Sequence, residues 1–134
     1  MKVALNAGKY LSLILWLVAI HSIVVGLSLI LIPASMMPSF GFQSYTEKFF
    51  PVQGGVFHLV MAVVYALAAI DTKRFTGLIT LAIVAKFMAT VFLLIYYFLV
   101  DKIWTVLFSA IGDCLMGTAI LIAFLSFTKN KEHL

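Results

Sequence analysis

Residues 75–127 read FTGLITLAIVAKFMATVFLLIYYFLVDKIWTVLFSAIGDCLMGTAILIAFLSF, and the only charges in this stretch are Lys86, Asp101, Lys102 and Asp113. The dipeptide Asp101-Lys102 divides it into apolar runs at 75–100 and 103–127. Each run has about 25 residues and as a helix would reach ~37 Å, more than the ~30 Å of a bilayer hydrocarbon core. A two-residue break leaves no room for any arrangement but an antiparallel pair.

The same reading extends toward the amino end. A polar turn, Asp71 to Arg74, closes a shorter apolar run from Gly55 to Ile70, which Val52 and its neighbours extend toward the interface. A further run from Tyr10 to Ile32 follows Lys2 and Lys9. It exceeds the 7–15 apolar residues typical of a secretory signal, so an uncleaved first span is expected, although Pro33-Ala34-Ser35 resembles a processing site. All 134 residues therefore read as one all-α domain, a polytopic membrane protein built as an antiparallel four-helix transmembrane bundle.

Composition agrees. The chain is 64% hydrophobic and 10% charged, with a mean hydropathy of +1.17. A soluble domain of this length leaves roughly a third of its chain surface wet and has no means of hiding so much apolar area. The net charge of +4 does not imply a nucleic-acid partner, because the basic residues flank apolar runs and form no patch or basic helix face.

Their distribution instead sets an orientation. Lys2, Lys9, Lys73, Arg74, Lys129 and Lys131 fall on one side of the expected bundle, against Lys48 and Lys102 on the other. The positive-inside rule then puts both termini and the 71–74 turn in the cytoplasm, as an even number of spans requires. An integral protein of a bacterial inner membrane is the expected setting.

The remaining connection, 33–54, forms one longer outer loop. Prolines at 33, 38 and 51 punctuate it, and Phe40, Phe42, Tyr45, Phe49 and Phe50 make it too aromatic for a free linker. It reads as an interfacial anchor or as a lid over an outward or lateral opening, with a short helical segment near 43–50. Gln53 and Gly54-Gly55 are expected just ahead of the second helix, as its cap or at a pocket mouth.

Each span carries one strongly ionisable residue: His21, His58, Lys86 and Asp113. Counting from the presumed cytoplasmic ends puts them at depths of about 16 to 21 Å, in one rough layer. A lone charge near mid-bilayer costs about 3 kcal/mol on insertion scales, so Lys86 and Asp113 should face the interior as a pair. Such a pair serves either helix orientation or the handling of a ligand or proton. The histidines have three open readings: neutral hydrogen-bonded groups, members of a polar pocket with Lys86 and Asp113, or axial ligands to haem. No Cys/His cluster has metal-ligand spacing, and the lone Cys114 reads as a small buried hydrophobe. Helical spacing aligns His58, Met61, Ala62, Tyr65 and Ala69 on one face, and Lys86 with Thr90 on another. Ser22, Gly26, Ala110, Gly112 and Gly117 are small enough for close helix contacts.

The stretch from Gly54 through His58 to Ala62, then Tyr65 to Asp71, with Lys73-Arg74 and Lys86 following, resembles the small bacterial DoxX-like and BphX-like four-helix membrane proteins. The resemblance implies a compact up-and-down bundle and, in some relatives, an association with quinone-linked redox systems; it assigns no residue a role. The expected function is a binding or accessory protein that holds a lipid-like or quinone-like molecule in an internal cavity, its head group meeting His21, His58, Lys86 and Asp113. Three alternatives share these residues. One is an enzyme using His58, Tyr65, Lys86 and Asp113 for acid/base or redox chemistry on a hydrophobic substrate. The others are a structural subunit of a larger complex and a proton-coupled transporter. Expected partners are membrane lipids, a hydrophobic small molecule, and a membrane protein or a second copy of the chain.

Overall fold

The computed structural model describes residues 2–43 and 47–132. Four long helices, α1 (Lys2–Leu31), α2 (Phe49–Ile70), α3 (Thr76–Leu99) and α4 (Trp104–Glu132), are joined by short turns and a 3₁₀ segment, η1 (Ala34–Phe40). All four α-helices are long and apolar enough to cross a membrane, and the share of each span buried inside the bundle is only 22–28%. Side chains such as Phe108, Leu99 and Phe50 face outward. An aqueous surface of that kind is untenable, whereas hydrocarbon solvates it, so the chain is an integral membrane protein.

The α2–α3 turn is held by Asp71, whose Oδ1 accepts the backbone N–H groups of Lys73 at 3.1 Å and Arg74 at 3.0 Å. This carboxylate supplies acceptors to amides that have no helical partner. At the same end of the bundle Gly8 lies against Phe127 and Thr72. The start of α1, the end of α4 and the α2–α3 turn thus meet there, at what is called below the terminal end. The opposite, loop end carries η1 and the α3–α4 turn.

The long connection is organised differently from the sequence expectation. Among its described residues the helical segment ahead of α2 is η1, ending at Gly41 with φ +85, a left-handed cap that glycine adopts without steric cost. The carbonyl of Phe40 accepts the Thr105 hydroxyl at 2.7 Å, and Gly41 packs on Ile103 and Trp104, so η1 is tied to the start of α4. Of the expected segment at 43–50, residues 44–46, including Tyr45, lie outside the described residues. Helix α2 begins earlier than Gly55, at Phe49. Pro51 fits its first turn, where an amide has no helical partner, and Glu47 accepts the Phe49 N–H at 2.9 Å.

Gln53, Gly54 and Gly55 therefore lie within α2 instead of preceding it. Tertiary contact explains the glycine: a Cβ on Gly55 would come within 2.6 Å of the Gly26 carbonyl oxygen, and one on Gly26 within 2.8 Å of that of Gly55. The two backbones touch, which outweighs the low helix propensity of glycine. The Ser12 hydroxyl continues this seam by donating to the Ala69 carbonyl at 2.7 Å.

The bundle is two tight pairs, α1 with α2 and α3 with α4, packed less intimately on each other. Its largest apolar cluster lies in the terminal half, with Leu11, Leu15, Tyr65, Ala68, Ile79 and Ile120 as representative members. The loop half buries Met37, Ala62, Ile103, Val106 and Ala110 as well.

Candidate functional site

Lys86 and Asp113 join where α3 meets α4. Both are buried, and Lys86 Nζ lies 2.5 Å from Asp113 Oδ1. Local sequence makes this possible. Gly117 is one turn from Asp113 on the same face, and a Cβ there would meet Lys86 Cβ at 3.1 Å. The missing side chain admits the stem of Lys86, and its ammonium then meets the carboxylate. An ammonium with one partner retains two protons for donation, and the carboxylate retains a second oxygen.

Tyr65 joins them from the other helix pair. Its ring centroid is 5.7 Å from Lys86 Nζ, within range of a cation–π contact. The tyrosine is itself buried in the main core. Three groups from α2, α3 and α4 thus form a polar layer at the upper limit of the terminal-half packing. Thr90, one turn toward the loop end, is also buried and donates to the Lys86 carbonyl at 2.9 Å.

His58 stands two turns from Tyr65 on α2, about 10 Å nearer the loop end, as the helical spacing predicts. It shares its helix face with buried Gly55, Ala62, Tyr65 and Ala69, yet is only half-buried.

His21 differs from the expectation that all four ionisable groups line one interior. It is exposed on α1. The next residue, Ser22, is the inward polar group of α1: it is buried, and its hydroxyl has no hydrogen-bond partner among the described residues. Helix geometry accounts for the exchange. Ser22 is in phase with Leu11, Leu15 and Val18, all buried, while His21 is turned 100° away. The phase relation is present in the sequence, but α1 is apolar on all sides, so the sequence does not say which of its faces is turned inward.

Among the described residues no group of three or more His, Cys, Asp or Glu is placed to hold a metal ion. Cys114 is half-buried and free. What the site contains is an ion pair, a phenol, two hydroxyls and an imidazole, a set suited to hydrogen bonding and proton exchange with a polar head group.

Comparison with known protein families, with curated proteins and with solved structures finds no match to this chain.

Proposed function

We propose that the chain is a membrane-embedded binding protein whose loop-end half receives a hydrophobic, lipid-like or quinone-like molecule. Its polar head would be directed toward Lys86 and Asp113. The observation that carries this reading is a buried Lys86–Asp113 ion pair beside Tyr65, with a half-buried His58 two turns further along the helix face of Tyr65. A purely structural ion pair has no need of an inward, partly accessible imidazole on the same side.

In this reading His58 meets the head group first. Lys86 donates one of its remaining protons to a carbonyl or phosphate-type acceptor, and Asp113 orients Lys86 and accepts from a hydroxyl. Tyr65 closes the floor. The ligand tail lies along the apolar side chains of the loop-end half, with bulk lipid as its route of entry. The termini would be cytoplasmic and the loop end external, in a bacterial inner membrane, consistent with kinship to DoxX-like proteins.

Mass spectrometry and an ultraviolet-visible spectrum of protein purified in mild detergent test the proposal. A stoichiometric amphiphile is expected with the wild type, and reduced retention with His58→Ala. An empty wild type that also fails to retain added ubiquinone or phospholipid would refute it. If His58→Ala abolishes conversion of a retained molecule, the same residues constitute an enzyme's acid/base set.

A further inference from the structure

The outward face of α1 follows a heptad rhythm. Leu13, Leu17, Ile20, Val24, Leu27 and Leu31 alternate at spacings of four and three residues, and every one is exposed. These are the positions that form a seam when one helix packs in parallel on another. Lipid solvates such a stripe equally well, so the apolar residues alone identify no occupant.

The flanks of the stripe do. Trp16 and His21 are exposed on either side of it, and neither side chain has a hydrogen-bond partner among the described residues. In hydrocarbon an indole N–H and an imidazole each lose the hydrogen bonds that water would give. If Leu17, Val24 and Leu31 occupy the a positions, Trp16 is at g and His21 is at the following e, five residues on. In a parallel left-handed pair those are the flanking positions that face each other across the seam. The indole nitrogen only donates, while a neutral imidazole has one accepting nitrogen, so the two are complementary.

We propose that α1 forms the seam of a parallel homodimer, in which Trp16 of each copy donates to His21 of the other. A second copy is the partner that fits, because the same helix carries both the donor and the acceptor and all copies insert in one orientation. A two-fold axis along the membrane normal then brings both residues to matching depth and makes the bond twice. An open groove of about 410 Å³ at the loop end of α1, lined by Val24, Leu27, Ser28, Leu31, Ile32 and Pro33, gives the facing Leu27 and Leu31 side chains room to enter. The surface uses none of His58, Tyr65, Lys86 or Asp113, so it is independent of the ligand proposal.

Disulfide trapping in native membranes, in a Cys114→Ser background, tests the seam. Leu17→Cys and Val24→Cys are expected to yield covalent dimers, whereas Met88→Cys, on the exposed face of α3, is not. Equal trapping at all three positions, or none at any, overturns the proposal. Trp16→Phe and His21→Leu test the polar pair by photobleaching counts in diluted bilayers. Interhelical hydrogen bonds average about threefold in equilibrium constant, so losing two symmetric bonds should weaken dimerisation about tenfold. The double variant should be no weaker than either single one. Unchanged dimerisation in both single variants also overturns the proposal.

Discussion

Lys86 and Asp113 are worth more together than either is alone. Removing one partner of a buried pair leaves an uncompensated charge and typically costs 3–5 kcal/mol, whereas replacing both with apolar residues of similar volume is often nearly neutral. Lys86→Met and Asp113→Leu should therefore each destabilise the bundle by about that amount, while the double variant recovers most of the loss. Reversible unfolding in mixed detergent micelles measures the cycle. Full recovery of stability combined with loss of ligand retention would assign the pair to binding. The pairing itself is legible from the cost of two deep charges on adjacent spans. The separation of His21 from Ser22 requires the phase of α1, which becomes definite only once its packing partner is known.

Within the helices, the close approach of α1 and α2 depends on Gly26 and Gly55. At each position the first atom an added Cβ would meet is a backbone carbonyl oxygen, closer than 3.0 Å, and backbone cannot rotate away as a flexible side chain does. Gly55→Leu should therefore force the helices apart at the loop end. The expected cost is about 3 kcal/mol or more, at the upper end of overpacking effects. Gly77→Leu is the control, since nothing lies within 4 Å of a Cβ there. Thermal inactivation of the two variants, compared in the same detergent, checks the contrast. Four spans are readable from their apolar runs, but the start of α2 is not: Pro51 and the two glycines resemble a loop until the contact with α1 gives Gly55 its reason.

For the molecule as a whole, charge distribution and core placement complement each other. Lys9, Lys73, Arg74 and Lys129 are exposed at the terminal end, and Lys48 and Lys102 at the loop end, the latter accompanied by Glu47 and Asp101. If the positive-inside rule governs insertion, Lys102→Cys is labelled by an impermeant maleimide on intact cells, while Lys129→Cys reacts only after lysis. Both are made in the Cys114→Ser background, and the reverse pattern would invert the proposed topology. The largest apolar cluster then lies on the cytoplasmic side.

Length and hydropathy suffice to specify four membrane-crossing helices, their antiparallel order and the two deep charges. These are local properties, since about 20 apolar residues span a bilayer whatever surrounds them. The pairing of α1 with α2, the docking of η1 on α4, the placement of the largest apolar cluster in one half and the outward turn of His21 belong to tertiary structure. Each depends on which faces of two helices meet, and in a chain this apolar hydrophobicity barely separates the face that meets protein from the face that meets lipid. Small residues and polar partners decide that choice, and their effect exists only when the helices are assembled.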